Sequence, residues 1–452
     1  MNAREAAYRV LWEIEEGAFA NLALDEFLRR EPGMKAVDKG FLTELVYGTV
    51  KHRTRLDWLI NATVKKVEKL ALGSRLLLRL SYYQLLFMDR VPAFAVTNEA
   101  VKLARKLFNP GVASLINGVL RNYLRRPQNV VWPDREKDPL TYLEVMYSHP
   151  RWMLERWLKR YGWEDTVRLC EYNNAPAELW IRANTLRCTP EELAERLTTE
   201  GCAVKRSRRV QEGLLLESAP SLAGLSSFGE GLFTVQDESS MLVAYALRPE
   251  PGAEALDLCA GPGGKTTHLA QMMQNQGVIL ACDLHEHRTK LIEENARRLG
   301  VTIIQTLVGD ASILHLQLDR QYPYVLVDAP CSGLGVLRRR PDARWRKKPE
   351  EIKELAALQQ KILASAYQLL APGGRLVYST CTLEPEENTE VMREFLQQHP
   401  DLSVVDLTGF FPYEAKAAGE KAELRQGQRQ FLPFRDGMEG FFIAAVQKRP
   451  AL

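Results

Sequence analysis

The sequence predicts a multidomain protein with an all-α N-terminal bundle, a small α/β module and a C-terminal Rossmann-like α/β domain. In residues 1–126, apolar side chains recur at helical spacing, and in residues 142–232 a helix pattern lies between short strand patterns. From residue 233 to residue 452, strand and helix patterns alternate, as in a doubly wound sheet. Residues 127–141 are rich in proline and charge, which predicts a linker.

Composition narrows the classes of protein that fit. The chain has 452 residues, 46% of them hydrophobic, and a net charge of only +3, so any affinity for nucleic acid must come from local basic patches. The seven cysteines form no Cys-x-x-Cys pair, which argues against a disulfide framework or a structural zinc site. With no signal-peptide pattern at its start and no membrane-length apolar run, the chain is expected in the cytoplasm.

The N-terminal bundle is predicted from apolar helix faces. Ala7, Val10 and Leu11 mark one such face, and Leu76–Met88 is apolar enough for a central buried helix. Basic residues gather late, at Arg121 and Arg125. The pattern alone leaves two roles open, a scaffold or a binding domain.

The small module is predicted from a strand at Leu179–Ala183 and a strong helix start at Thr189, where a proline and a capping glutamate follow. A second strand is expected at Leu214–Leu216. The basic cluster Lys205–Arg209 could contact phosphates or form a solvated turn, and the sequence leaves both open.

The C-terminal domain contains a glycine-rich turn between a strand ending at Asp257 and a helix. Its residues, expected to approach a ligand through their backbone amides, are Cys259, Ala260, Gly261, Pro262, Gly263, Gly264 and Lys265. A Walker loop is excluded because Cys259 stands where glycine is required, and a dinucleotide fingerprint matches only in part because of Thr266. An ordinary strand-to-helix turn remains an alternative.

Acidic residues follow the next three predicted strands, at 278–282, 302–308 and 324–327. Asp283 is placed to accept hydrogen bonds from ribose hydroxyls, and Asp310 could orient a base edge such as an adenine amino group. Asp328 ends the third of these strands. Because the carboxyl ends of parallel strands share one edge of a sheet, the three acids predict a cofactor that contains a nucleoside.

Two cysteines, Cys331 and Cys381, follow the strand at 324–327 and a further strand predicted at 375–379; the last strand is predicted at 441–446. A nearby cation such as Lys265 would favour their thiolate forms. Attack of a thiolate on C6 of cytosine makes C5 nucleophilic enough to accept a methyl group.

Between the cysteines lies the basic segment Arg338–Lys348, with seven basic residues, one acid and a tryptophan. This composition predicts a surface that contacts phosphates and stacks on bases. An exposed, disordered loop is the alternative.

Four sequence blocks resemble the RNA cytosine-5 methyltransferases of the Sun group: Asp257–Lys265, Asp328–Gly333, Ser379–Asn388 and Arg435–Phe442. The resemblance implies S-adenosyl-L-methionine bound by Cys259 to Lys265 together with Asp283, Asp310 and Asp328. It also implies that Cys381 is the nucleophile, that Cys331 assists product release, and that Asp328 and Lys265 belong to the catalytic set.

The first 126 residues resemble the RNA-binding factor NusB in two segments, Glu44–Thr49 and Ala95–Ala100. A NusB-like domain fused to this methyltransferase domain implies a bacterial branch of the family that methylates C5 of a cytosine in small-subunit ribosomal RNA. A monomer is expected, with the small module also contacting RNA.

Two rival functions remain at this point. A methyltransferase acting on an exocyclic amine would need a strand-end acid and an aromatic residue, but Cys331 occupies the aromatic position and Cys381 would have no role. An RNA-binding assembly factor with a vestigial cofactor site would have no need to keep both cysteines, Asp328 and Lys265. The target nucleotide cannot be read from the sequence.

Overall fold

The computed structural model describes residues 1–219 and 221–450. Two compact units make up the chain. The helical unit comprises Met1–Ala175 and Leu337–Arg346, and the α/β unit comprises Pro176–Val336 and Lys347–Leu452. The chain therefore leaves the α/β unit after Val336, contributes ten residues to the helical unit, and returns at Lys347. None of the helices within the described ranges is both long and apolar enough to cross a lipid bilayer.

The N-terminal part of the helical unit is helical throughout, as predicted. Its helices are α1 (Ala3–Glu15), α2 (Ala20–Arg30), α3 (Ala36–Lys51), α4 (Arg53–Thr63), α5 (Leu72–Phe87), α6 (Ala93–Leu107), α7 (Pro110–Arg125), α8 (Pro139–Met146) and α9 (Arg151–Asn174). Ala7, Val10 and Leu11 of α1 are buried in one core with most of α5, which confirms the expected apolar faces. Both α8 and α9 belong to this unit, whereas the sequence assigned most of their residues to the small module.

The small module folds as an antiparallel sheet covered by helices. Its elements are β1 (Leu179–Ala183), α10 (Pro190–Thr199), β2 (Ala203–Arg206), β3 (Gly213–Ser218), α11 (Ser226–Gly229) and β4 (Phe233–Val235). The strand order is β2-β3-β1-β4, so β1 is a central strand. The predicted capping box is present, since Thr189 and Glu192 exchange side-chain-to-backbone hydrogen bonds. Because β4 pairs with β1, the sheet extends to Val235, beyond the expected boundary at 232.

The rest of the α/β unit is built on a mixed sheet. In chain order, with the one helix of the inserted segment included, the elements are α12 (Glu238–Leu247), β5 (Glu254–Asp257), α13 (Gly264–Met272), β6 (Val278–Asp283), α14 (Glu286–Leu299), β7 (Ile304–Val308), β8 (Tyr322–Asp328), α15 (Ala343–Arg346), α16 (Pro349–Leu369), β9 (Leu370–Thr380), α17 (Thr389–Gln398), β10 (Leu402–Val404), α18 (Ala418–Arg425), β11 (Gln428–Phe431), α19 (Pro433–Asp436) and β12 (Phe441–Lys448).

The order of this sheet places the predicted site. The strands run β10-β12-β9-β8-β5-β6-β7, with β11 paired to β12, and the strands from β9 to β7 are mutually parallel. After β5, the chain first adds β6 and β7 on one side of that strand and then adds β8 and β9 on its other side. The carboxyl ends of β5 and β8 therefore flank the point where the strand order reverses, which is where open α/β sheets bind ligands.

Candidate active site at the carboxyl ends of the parallel strands

The glycine-rich loop joins β5 to α13 and is fitted closely to the next strand. Gly261 donates its backbone N–H to Oδ2 of Asp283 at 3.0 Å. A Cβ atom at Gly261 would lie 2.5 Å from that same oxygen, so the approach requires glycine. Gly263 precedes the helix with φ +98°, a conformation that also favours glycine. The loop therefore brings bare backbone to the helix N-terminus, as a cofactor site of the predicted kind requires.

Asp283 and Asp310 occupy the expected strand ends, and both also support their own loops. Asp283 is buried, and its Oδ1 accepts from the backbone N–H of His285 at 3.1 Å. Asp310 is half-buried and accepts from both the backbone and the hydroxyl of Ser312. Gly309 donates to the carbonyl of Asp283 at 3.1 Å, which brings the two acidic residues to adjacent positions at one edge of the sheet.

Cys259 begins the loop and remains a neutral thiol. Burial, and then the charges of Asp257 and Asp328, raise the pKa of this thiol well above its usual value. Its neighbour Ala260 donates a backbone hydrogen bond to the carbonyl of Cys282 at 2.8 Å, which ties the loop to β6.

Lys265 and Asp328 form an ion pair that links the loop to β8. The Nζ atom of Lys265 lies 2.7 Å from Oδ2 of Asp328, and Ser379 donates its hydroxyl to the other carboxylate oxygen at 2.7 Å. Burial would lower the pKa of Lys265, but the charge and hydrogen bond of Asp328, followed by the charges of Cys381 and Asp257, raise it. Lys265 is therefore a fixed cation at the centre of the site.

The two predicted cysteines face each other across neighbouring strands. Cys331 follows β8, Cys381 follows β9, and their Sγ atoms lie 3.4 Å apart. The hydrogen bond to Cys381, then burial, raises the pKa of the Cys331 thiol well above its usual value. Gly335 donates its backbone N–H to the carbonyl of Cys381 at 3.0 Å, and this bond holds the loop after β8 against the loop after β9. The Cys331 thiol therefore keeps its proton beside the sulfur of Cys381.

Glu387 fixes the residues that follow the two cysteines, a role that the sequence analysis did not identify. Its carboxylate accepts from the backbone and the hydroxyl of Ser332, at 2.7 and 2.5 Å, and from the hydroxyl of Thr382 at 3.1 Å. Gln359 adds a fourth donor at 3.2 Å. Glu387 is fully buried, and burial raises its pKa despite these donors. The sequence contains one sign of this role: a hydroxyl residue, Ser332 or Thr382, directly follows each cysteine, and no basic residue lies close to Glu387 in the chain.

Comparison with known proteins identifies the family. Residues 244–447 match the family described as 16S rRNA methyltransferase RsmB/F, residues 1–125 match the NusB family, and residues 149–223 match the ferredoxin-like domain of RsmF/B-like methyltransferases. The chain is 38% identical over 452 residues to the probable ribosomal RNA small subunit methyltransferase B of Bacillus subtilis, covering 99% of both chains. The chain belongs to the RsmB/F family of methyltransferases.

Solved structures agree with this assignment. The crystal structure of PH0851 matches with a TM-score of 0.82 at 30% identity, over 99% of this chain and 98% of that one. NSun6 from Pyrococcus horikoshii, solved with SFG, matches with a TM-score of 0.60 at 25% identity, over 68% of this chain and 100% of its own. The protein is an S-adenosylmethionine-dependent RNA methyltransferase. The NusB-like and methyltransferase parts are as the sequence predicted, and the predicted small α/β module matches a ferredoxin-like domain.

The residues at the sheet edge fit this cofactor. The contact between Gly261 and Asp283 leaves no room for a Cβ, and the loop presents backbone to the start of α13. Asp283 provides a buried carboxylate at the end of β6, the position at which this class of fold binds ribose hydroxyls.

The basic segment Arg338–Lys348 does not have the structure that its charge predicted. Arg344 is fully buried in the helical unit, where its guanidinium donates to the carbonyl of Ser148 at 3.0 Å and to Oδ1 of Asn174 at 2.9 Å. A third bond reaches the carbonyl of Asn173 at 3.3 Å. Burial lowers the pKa of Arg344 to about 9, so the side chain keeps its charge at neutral pH.

The neighbours of Arg344 are also engaged inside the helical unit. Trp345 donates its indole N–H to the carbonyl of Val50 at 2.7 Å and packs against the helical core. Arg346 donates to the carbonyl of Gly17 at 2.9 Å. The prediction of a surface that contacts phosphates and stacks on bases is therefore wrong for these three residues. Their donors are used by backbone carbonyls that helix ends leave without partners.

Proposed function

We propose that the chain methylates C5 of a cytosine in small-subunit ribosomal RNA through a covalent adduct between Cys381 and C6 of the base. The relatives named as ribosomal RNA small subunit methyltransferases support this substrate class. The observation that favours C5 chemistry is the 3.4 Å separation of two thiols beside a lysine–aspartate pair. A methyltransferase that acts on an amine, whose nitrogen is already nucleophilic, needs no such pair.

The charges at the site favour Cys381 as the nucleophile. The Cys331 thiol, whose pKa is raised first by its hydrogen bond to Cys381, stays protonated and can donate to a Cys381 thiolate. Lys265 adds a cation, and the charge of Cys381 contributes to the raised pKa of Lys265, so that these two charges stabilise each other. A stabilised thiolate is the form that attacks carbon.

The bond changes follow from these assignments. Attack by Cys381 forms the S–C6 bond and places the electron pair of the C5=C6 bond at C5. The loop Cys259–Lys265, with Asp283, Asp310 and Asp328, would hold S-adenosylmethionine, whose S–CH3 bond would break as C5 accepts the methyl group, leaving S-adenosylhomocysteine. Loss of the C5 proton then re-forms the C5=C6 bond and expels Cys381 as a thiolate.

Cys331 is suited to the second half of this sequence. While Cys381 is an anion, the hydrogen bond between the two sulfurs holds the proton on Cys331. In the adduct, Cys381 is a neutral thioether, so the largest cause of the raised pKa of Cys331 is removed. Cys331 then loses its thiol proton to solvent more readily, and the resulting thiolate can accept the proton from C5. The same pair of sulfurs thus favours attack before the adduct forms and release after it.

The two cysteines give the direct test. Full-length Cys381→Ala should form no 5-methylcytosine and no covalent protein–RNA species. Cys331→Ala should methylate once and then stall, leaving an adduct that survives denaturing electrophoresis with labelled small-subunit ribosomal RNA. Cys188→Ala, which changes a half-buried thiol of the small module, is the matched control and should behave as the unmodified protein.

Two other outcomes would contradict these roles. An adduct in Cys381→Ala and none in Cys331→Ala would exchange the roles of the two residues. Full activity in both variants would rule out the thiolate mechanism and favour methylation of an amine. Mapping 5-methylcytosine in ribosomal RNA from cells with and without the gene identifies the target base.

A further inference from the structure

Arg182 is a buried cation in the middle of the small module and has no role in the reaction described so far. It lies on the central strand β1, opposite Gly213 of β3 and Thr234 of β4, and is only 1% exposed. From the sequence alone, Arg182 is expected only to be part of a strand. Buried arginines are rare unless their charge and donors are used, so its contacts indicate what it does.

The guanidinium of Arg182 reaches the start of the cofactor helix α13. One nitrogen donates to the backbone carbonyl of Gly264 at 2.8 Å and to the side chain of Gln236, and the other donates to the hydroxyl of Thr267 at 3.0 Å. The Thr267 hydroxyl donates in turn to the carbonyl of Gly263 at 2.8 Å. A single side chain of the small module is therefore bonded to both ends of the backbone segment that contains Lys265.

Stability alone does not explain this arrangement. Among the described residues, no carboxylate lies within ion-pair distance of Arg182, and burial lowers its pKa to about 9 although the charge of Glu212 opposes the shift. A cation at a helix N-terminus also lies on the unfavourable side of the helix dipole. Burying a charge whose opposing carboxylate, Glu212, lies beyond ion-pair distance is costly, whereas an apolar residue of similar size would fill the space at no such cost.

The backbone that Arg182 holds is the part of the loop that must be accurately placed. Gly263 and Gly264 end the glycine-rich turn, and Lys265 points to Asp328 from the next position. Glycine backbone is the most flexible in the chain, so a loop of this composition loses much entropy when it is fixed for a ligand. External hydrogen bonds from a rigid central strand reduce the movement that ligand binding would have to suppress.

We propose that Arg182 is a positioning residue for cofactor binding: from the small module it holds residues 263–267 in the conformation that receives S-adenosylmethionine. The inference rests on the proposed role of the loop Cys259–Lys265 but not on the identity of the methylated atom. It assigns the ferredoxin-like module a function in cofactor affinity, in addition to any contact with RNA.

The test measures cofactor and RNA binding separately in the full chain. Arg182→Met should weaken the binding of S-adenosylmethionine, measured by calorimetry, by about tenfold or more, the value expected for two lost hydrogen bonds from a charged donor. The KM for the cofactor should rise while affinity for RNA changes less than about twofold. Arg182→Lys, which restores the charge and one donor, should recover part of the loss.

Arg298→Met is the matched control. Arg298 donates to the carbonyls of Phe228 and Phe233, at 3.1 and 2.8 Å, and so also links a helix of the α/β unit to the small module. It makes no bond to the cofactor loop itself, which it approaches only through Asn295, the donor to the carbonyl of Pro262. Its cofactor affinity should stay within about twofold of the unmodified value. An equal loss in Arg298→Met and Arg182→Met would show that general loosening of the module is responsible, and would overturn the proposal.

Two further outcomes separate this inference from the loop assignment. If Gly261→Ala abolishes cofactor binding but a folded Arg182→Met binds normally, the role of Arg182 is wrong and the loop assignment stands. If Gly261→Ala binds normally, the loop assignment itself is wrong. Should Arg182→Met fail to fold, Arg182→Lys decides: unchanged cofactor affinity in that variant overturns the proposal.

Discussion

The cysteine loops and the inserted segment 337–346 are neighbours in the chain, yet they bury polar groups in different ways. Around Cys331 and Cys381, a buried acid collects donors from Ser332 and Thr382, so two loops from adjacent strands are held in register. In the inserted segment, a buried arginine gives its donors to carbonyls of the helical unit. The first arrangement holds reactive groups in place, and the second completes a fold.

The difference between these two regions shows that the function of a reactive or charged residue depends on its position in the fold as well as on its type. Both regions are dense in residues that could serve chemistry or RNA binding. The cysteine loops are placed by parallel strands, whose carboxyl ends must meet at one edge. The segment 337–346 has no such constraint, and only its contacts show that its charges serve the interior of the helical unit.

The largest effect is expected from Arg344→Met, which tests whether the segment is structural. The substitution leaves the carbonyls of Ser148 and Asn173 and Oδ1 of Asn174 without their buried donor. At about 1–3 kcal/mol for each unsatisfied group, the helical unit should lose about 3–5 kcal/mol of stability, measured by thermal or denaturant unfolding.

Arg340→Met in the same segment is the control, because Arg340 is exposed and its replacement should change stability by less than about 0.5 kcal/mol. Equal stability of the two variants, together with a reduced salt dependence of RNA binding in Arg344→Met, would restore the RNA-contact interpretation.

A smaller effect is expected at the other region from Asp283→Ala. The carboxylate is proposed to accept the ribose hydroxyls of the cofactor, and it also holds the backbone N–H of Gly261. Its removal should weaken S-adenosylmethionine binding by about 1.5–3 kcal/mol in calorimetry. Asp406→Ala provides a matched control, since Asp406 also caps its own turn through Thr408 but lies in a different loop. Unchanged affinity in a folded Asp283→Ala protein would remove Asp283 from the site.

The smallest of the three effects concerns Asp257, at the end of β5. Burial raises the pKa of this carboxyl to about 7, with a hydrogen bond from Thr266 opposing the shift and the charge of Asp328 adding to it. A carboxyl whose pKa is raised in the folded state stabilises the fold fully only below its ordinary pKa. That contribution is lost as pH rises toward 7.

Asp257→Asn should therefore gain stability relative to the unmodified protein as pH rises from about 4 to about 8. The expected gain is about 2 kcal/mol, within the ceiling of roughly 4 kcal/mol that three pKa units set. Unfolding curves at the two pH values provide the measurement. A difference between the two proteins that does not vary with pH would contradict the raised pKa.

Periodicity predicted the parallel strands, and with them the meeting of Lys265, Asp328, Cys331 and Cys381. The role of Glu387 was missed although a hydroxyl residue follows each cysteine, because one of its partners, Ser332, lies far away in the chain. Arg182 could not be predicted, because its partner Gly264 also lies far away in the chain. Short polar strands were also missed. Strand β2 overlaps a basic cluster, β10 is only three residues long, and Phe431 is the single apolar residue of β11.

The excursion of residues 337–346 bears on the order in which the protein can be made. Synthesis proceeds from the N-terminus, and the first 175 residues leave the ribosome well before Arg344 and Trp345 are added. The acceptors of Arg344 and Trp345 in the helical unit can therefore receive these donors only after about 170 further residues have been polymerised. In the gene, the sequence for one folded body is interrupted by that of another, so cutting at residue 175 would leave the helical piece without residues 337–346, which would stay attached to the other piece.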